Sequence, residues 1–465
     1  MGAASVPVAV GPLSRGHPGL TWGLCAFIWL LPFHIVVVAV LFGVLGWPML
    51  VVRGIAAWKE ATVALLLTLT VLQVVTGRSP RGNVVATDLA VAGLGTLALS
   101  YLIGASAWFA ADLPVGLQLL GWRDDVFFML LYFVGRATPQ VAEDFRYLRA
   151  LFAVGVITSG IAILERIFVT PKMLVVLGAA RYVQEFLGVA PATRNNEYGL
   201  PDNYWTGVGD HIVQRAGSTY LSSQSFAIPF LIILPAATLW LFRRERQRSV
   251  LAWLGYVILW TGLLLTVTRM TTVVCVLQVL ALAAARRRWG IGVGGGLLAA
   301  LGFALALLVV PALASFVWDT LTWQTGSSLS HLGAWSEGIQ SLVQHPLGIG
   351  LGASGLTAVR FGLPPIAGDN QYFQYSVELG VPGLLLYVAI LGGIGAAGLK
   401  AFRFAPGEPA RSYGALTAAA ALGLALNGIT TVALTLPFVS YIFFWLAGST
   451  VALADGRTVS PRGGA

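Results

Sequence analysis

The sequence predicts an all-α, polytopic membrane protein with about twelve transmembrane helices and two long extracytoplasmic loops. Three observations lead there. Of the 465 residues, 57% are hydrophobic and only 10% are charged. The apolar residues fall in runs of roughly 17 to 26, the length that crosses a bilayer as a helix. The basic residues collect in short connections between those runs, as the positive-inside rule requires.

In chain order the runs lie at about 20–45, 60–76, 84–108, 115–135, 148–167, 219–242, 250–268, 270–285, 290–314, 372–398, 413–432 and 437–453. The first is too long for a signal-peptide core and lacks a small-x-small cleavage site, so it reads as an uncleaved span. The stretch GWPMLVVRGIAAWKE at 46–60 reads as an interfacial amphipathic helix or as part of an extra hairpin. Asp88, in the third run, reads as a hydrogen-bonding residue that packs helices, and RDD at 123–125 as the start of a span. The run from Val250 to Ala285 has no Gly or Pro break around Arg269, and only the basic clusters flanking it require two crossings. With both termini in the cytoplasm, that side holds 18 of the 28 basic residues and five of the 19 acidic ones, which fixes the orientation. The whole chain, 1–465, reads as a single membrane domain with a disordered tail at about 454–465.

Cys25 and Cys275 sit in apolar spans and belong to no CxxC or Cys/His spacing, so no disulfide or metal site is expected. A net charge of +9 would raise nucleic acid as a partner for a soluble protein, but here its distribution serves topology and no nucleic acid is expected.

Two segments of about 50 residues, 168–218 and 315–371, fall on the outer side, and ordered loops of that length usually carry function. Both mix aromatic, amide and charged residues, a composition found in sugar-binding surfaces and also in ordinary extracytoplasmic loops. The second leads into AGDNQYFQYSVELGVPGLLLYVAILGG at 367–393. On a helix, Asn370, Gln371, Gln374, Tyr375 and Glu378 fall within one arc of about 140°. A polar stripe cannot face lipid cheaply, so it should face protein or a water-filled cavity. Arg215, in VQRAGSTYLSSQSFA, stands just before a span. Arg269 interrupts 36 residues that hold no other charge. An arginine at a span end commonly snorkels to the headgroups, yet one kept inside an apolar run costs about 2.5–3.5 kcal/mol and usually faces a partner. Two guanidiniums at the outer surface suit a lipid-anchored diphosphate.

Four segments, QRAGSTYLSSQSFA, LTVTRMTT, GAWSEGIQSLVQHPLGIGLGASG and DNQYFQYSVELGVPGLLLYV, resemble in that order the signature segments of the O-antigen ligase and polysaccharide polymerase superfamily. The resemblance covers about 210–390, and its most specific part is HPLGIGLG followed by the polar start of ELGVPGLLL. It implies a multi-pass glycosyltransferase of the bacterial inner membrane that needs no metal, cofactor or nucleotide sugar. Such enzymes take a glycan from undecaprenyl diphosphate on the outer leaflet and pass it to an acceptor sugar hydroxyl. Polymerisation of a surface polysaccharide (O-antigen, capsule or exopolysaccharide) is the first reading, with the bilayer and other polysaccharide-assembly proteins as partners. A ligase that transfers the glycan to lipid A core, another envelope lipid or a protein is the alternative. A transporter or flippase of lipid-linked sugars is the third, and the sequence shows no repeated halves to support it.

The resemblance maps the family's two diphosphate-binding arginines onto Arg215 and Arg269. Where the ligases carry a histidine this chain has AGDN, so Asp369 stands there as general base, or else as cap of the helix that follows. His331, on an amphipathic segment with Trp335 and Ile339 on its apolar side, is the second candidate for the base or for substrate contact. His345 reads as part of a structural His-Pro turn. Arg360 is a candidate third phosphate ligand. Asn370, Gln374 and Glu378 are expected to line the cavity where donor and acceptor meet, with Asp369 at its mouth.

Overall fold

The computed structural model describes residues 18–77, 83–105, 113–189, 198–208, 211–243, 249–287, 318, 322, 326–364, 366 and 368–456. Its helices are α1 (Pro18–Ala39, extended by a π turn at Val40–Val44), α2 (Met49–Ala56), α3 (Trp58–Val75), α4 (Ala86–Ser100), α5 (Val115–Asp125), α6 (Leu130–Ala137), α7 (Arg146–Phe168), α8 (Pro171–Val176) and α9 (Ala179–Arg181). After a hairpin of β1 (Trp205–Val208) and β2 (His211–Gln214) come α10 (Ser223–Ala227), α11 (Phe230–Leu241), α12 (Val250–Leu265), α13 (Arg269–Ala285), α14 (Gly326–Gln344), α15 (Gly355–Val359), α16 (Gln371–Phe404), α17 (Glu408–Asn427) and α18 (Pro437–Ala454). A helical bundle is what lipid demands, because each backbone polar group must find its partner inside the segment.

Helices α11 and α18 are apolar on every face and almost entirely enclosed, so they form the centre of the bundle. Around α18 pack α1, α6, α16 and α17, and around α11 pack α7, α13 and α17. Between α6 and α18 the backbones touch: a Cβ at Gly135 would lie 2.1 Å from the Trp445 carbonyl, and one at Gly448 would lie 2.0 Å from the Tyr132 carbonyl. Small residues give membrane helices this close approach, where packing rather than hydrophobicity drives association.

Seven helices among the described residues are long and apolar enough to cross a membrane, and they cover seven of the expected runs. The two runs between 250 and 285 are the shorter helices α12 and α13, broken at Thr266–Thr268 with Val267 in the left-handed region. The run expected at 413–432 is displaced: α17 starts at Glu408, with Pro409 in its first turn, and stops at Asn427. The run expected at 115–135 is not one helix. It divides at Val126 into α5 and, after a short 3-10 turn at Phe127–Met129, α6. RDD therefore ends a helix instead of starting a span, because bending the chain there carries Asp125 into the protein interior. The stretch 46–60 forms no hairpin, since α2 leads through Ala57 into α3. Asp88 packs helices as expected: it pairs with Arg136 at 2.8 Å and accepts the Tyr132 hydroxyl at 2.6 Å. The run at 290–314, most of the basic cluster at 243–248 and the tail beyond 456 lie outside the described residues.

Both long segments carry structure. In 168–218, Leu174 of α8 and Ala179 and Ala180 of α9 share a buried cluster with Ala39 at the end of α1, and β1 pairs antiparallel with β2 from Trp205↔Gln214 to Val208↔His211. In 315–371, α14 packs on α16, so closely that a Cβ at Gly338 would lie 2.6 Å from the Phe373 ring.

Candidate functional site

Arg215 leaves the hairpin at the point where the break between α12 and α13 comes closest to it. Its backbone N–H donates to the Tyr204 carbonyl at 2.7 Å, and that of Ala216 donates to Leu265 at 3.0 Å. The side chain reaches into the break: Nε donates to the Thr266 carbonyl at 2.7 Å and Nη2 to Thr268 Oγ1 at 3.0 Å. Arg269, the first residue of α13, stands beside it. Both acceptors of Arg215 are neutral, and burial together with the Arg269 charge lowers its guanidinium to about 10. The positive end of the α13 dipole adds to the same point. Two arginines whose charges act on each other thus meet a helix N-terminus, a combination that favours an anion with several oxygens.

A residue not singled out from the sequence, Glu165, fixes this turn. Glu165, buried near the end of α7, accepts the N–H groups of Gly217 at 3.2 Å and Ser218 at 2.5 Å. Ser218 also donates through its hydroxyl to the Thr158 carbonyl at 2.7 Å. An acidic residue late in an apolar run was the available signal, masked by the adjacent Arg166, which makes the pair read as an ordinary span end.

A chain of contacts runs from the arginine pair to the candidate bases. Thr271, two residues after Arg269, donates to Asn427 Oδ1 at 2.9 Å. The next carbonyl, of Gly428, accepts the Gln371 N–H at 2.8 Å, and the carbonyl of Ile429 accepts Asn370 Nδ2 at 2.8 Å. Asp369 precedes these residues, and its carboxylate lies 4.0 Å from His331 Nδ1. The two candidate bases are thus neighbours on different elements, at ion-pair range and beyond hydrogen-bonding distance. Asp369 is 57% exposed, His331 20%, and His331 Nδ1 has no hydrogen-bond partner among the described residues. Asp369 is not the helix cap. Asn370 fills that place, its Oδ1 accepting from the N–H groups of Tyr372 and Phe373 at 2.8 and 3.1 Å.

The polar stripe faces protein. Gln371 Nε2 donates to Gln374 Oε1 at 2.8 Å, and Gln374 Nε2 to Asp125 Oδ1 at 2.6 Å. Tyr375 donates to the Asp125 carbonyl at 2.8 Å. Glu378, only 1% exposed, accepts the Gly352 N–H at 2.6 Å and both the N–H and the hydroxyl of Ser354. Instead of opening into a cavity, Asn370, Gln374 and Glu378 find protein partners, and the reason lies in the helix. Pro382 has no N–H for the Glu378 carbonyl, and the Val381 N–H turns away to Pro346, leaving Val377 and Glu378 as unpaired acceptors. Ile349 and Gly350 of the glycine-rich turn donate to them at 2.8 and 3.1 Å. The fit requires glycine on both sides. Gly380 has φ 68° and a Cβ there would lie 2.4 Å from the Pro346 carbonyl; Gly348 has φ 85° and its Cβ would lie 2.6 Å from the Glu378 carbonyl. HPLGIGLG and ELGVPG are therefore two halves of one interlock, with His345 at its edge.

Arg360 follows α15, one residue past its end. Its electrostatic neighbours are Asp124, Tyr182 and Arg123, and burial, the largest influence, lowers its guanidinium from the ordinary value.

The O-antigen ligase family model matches residues 254–388, from within α12 to within α16. That segment contains Arg269, His331, Arg360, Asp369 and the interlock, while Arg215 lies outside it. No curated protein matches the chain.

Proposed function

We propose that this chain, whose residues 254–388 match the O-antigen ligase family model, is a membrane glycosyltransferase of that kind and polymerises a surface polysaccharide from undecaprenyl-diphosphate-linked repeat units on the outer leaflet of a bacterial inner membrane. The observation that carries the reading is the meeting of Arg215 with Arg269 at the N-terminus of α13. In the reaction, the acceptor hydroxyl oxygen attacks the anomeric carbon of the donor glycan. The bond from that carbon to the diphosphate oxygen breaks, and polyprenyl diphosphate leaves with the electron pair. Negative charge grows on the phosphate, where two preorganised guanidiniums and the α13 dipole stabilise it. The hydroxyl proton passes to the His331–Asp369 pair, one member accepting it and the other orienting or balancing the charge.

A ligase would use the same site with another acceptor, and the description of the matched family favours it. The aspartate where ligases have histidine favours the polymerase. Deletion of the gene followed by gel analysis of surface glycans separates the two. A polymerase deletion leaves single repeats attached and no long chains; accumulation of long lipid-linked chains would make the protein a ligase.

A further inference from the structure

A second cationic cluster lies where α5 breaks. Asp124 is its hub: Oδ1 accepts from Arg123 Nε at 2.9 Å and Nη2 at 2.7 Å, and Oδ2 accepts from Thr357 of α15 at 3.3 Å. Arg360, one residue past α15, faces the same carboxylate, and its Nε is buried with no hydrogen-bond partner among the described residues. Lys59, bonded to Glu60 at 3.1 Å, acts electrostatically on Arg123 and Asp124 from the start of α3. Among the described residues, these three cations thus act on the two carboxylates of Asp124 and Glu60. Arg123 is 41% exposed, so the cluster is open to a ligand. Tyr182, stacked on Phe186 with ring centroids 5.6 Å apart, stands beside both Arg123 and Arg360 and adds an aromatic wall.

This cluster is distinct from the Arg215–Arg269 pair. Arg215 donates to Thr266 and Thr268 at the break between α12 and α13, whereas Arg123 and Thr357 donate to Asp124, so these hydrogen bonds of the two sets share no partner. The two are joined through the first outer segment, since Tyr182 neighbours Tyr204, whose carbonyl holds the Arg215 backbone.

Chain growth on lipid carriers presents two diphosphates at once, one on the donor that leaves and one on the acceptor that stays. A single guanidinium pair can grip only one of them. Resting on the polymerase reading, we infer that Arg123 and Arg360, assisted by Lys59, form a second diphosphate site that holds the lipid-linked acceptor. Arg360 Nε supplies a donor that no described residue uses, and Asp124 holds the Arg123 fork in place.

The test is calorimetric titration of the full chain in nanodiscs with farnesyl diphosphate and, in a parallel arm, inorganic pyrophosphate. Wild type should bind two equivalents of farnesyl diphosphate. Arg360→Gln, which leaves the Arg123–Asp124 pair intact, should lose one of them by at least tenfold in affinity, while Arg215→Gln loses the other. Two pyrophosphate sites would show that phosphate groups alone suffice; two sites for farnesyl diphosphate only would show that the lipid contributes. One equivalent in wild type, lost in Arg215→Gln and unchanged in Arg360→Gln, would overturn the second site and leave the donor site standing. No binding in wild type would overturn both.

Discussion

The start of α16 and the rim around Arg215 contain the same kinds of residue, polar and charged side chains at the edge of apolar runs, yet the protein treats them in opposite ways. At the start of α16 the hydrogen-bonding groups of the stripe are met from within, by Asp125, the glycine-rich turn and the loop after α17. At the rim, Arg215 is anchored among the described residues to neutral oxygens and feels the like charge of Arg269. A satisfied network builds structure, whereas an uncompensated buried charge awaits a partner. The difference teaches that polarity inside a membrane protein marks function only where the fold leaves it unanswered.

The sharpest way to break the first half of this contrast is Gly380→Ala. The left-handed backbone costs of order 1–3 kcal/mol for any side chain, and the clash with the Pro346 carbonyl adds to it. Folded protein, measured by size-exclusion chromatography in detergent, should be nearly absent. Arg215→Gln probes the other half: folded yield should persist while transfer falls by about 100-fold, the scale of losing one transition-state donor. A smaller effect, about tenfold on turnover, is expected for Asp369→Asn if His331 takes the proton. Complete loss in Asp369→Asn with full activity in His331→Ala would instead make the carboxylate the base. The smallest effect on catalysis belongs to Glu378→Gln. It should lower the melting temperature, at a cost of about 1–3 kcal/mol for weakened buried hydrogen bonds, with turnover per folded molecule close to wild type.

Much of this was legible in the sequence because it rests on local properties. Run length gave the spans, and Arg269 stood out as one charge in a long apolar stretch. The pairing of HPLGIGLG with ELGVPG was visible as a resemblance, and the structure supplies its cause: glycines on each side let the two backbones meet. What stayed hidden depends on distant partners. Gln374 meets Asp125 across 249 positions, and Glu165 holds a turn 52 positions away. No periodicity reports such pairs, so the stripe read as cavity lining and the fourth run read as an unbroken helix. The shift of the cap from Asp369 to Asn370 has a simpler origin. Both residues suit the position, and the choice follows from where Gln371 docks on Gly428.

The most direct test of the paired-arginine account is Arg269→Lys, returned to a strain lacking the gene and read by surface-glycan output per molecule of membrane-inserted protein. An ammonium keeps the charge but loses the two-pronged geometry that grips a diphosphate. The account predicts output about 100-fold below wild type at normal protein levels. Near-normal output would remove Arg269 from the site and contradict the account.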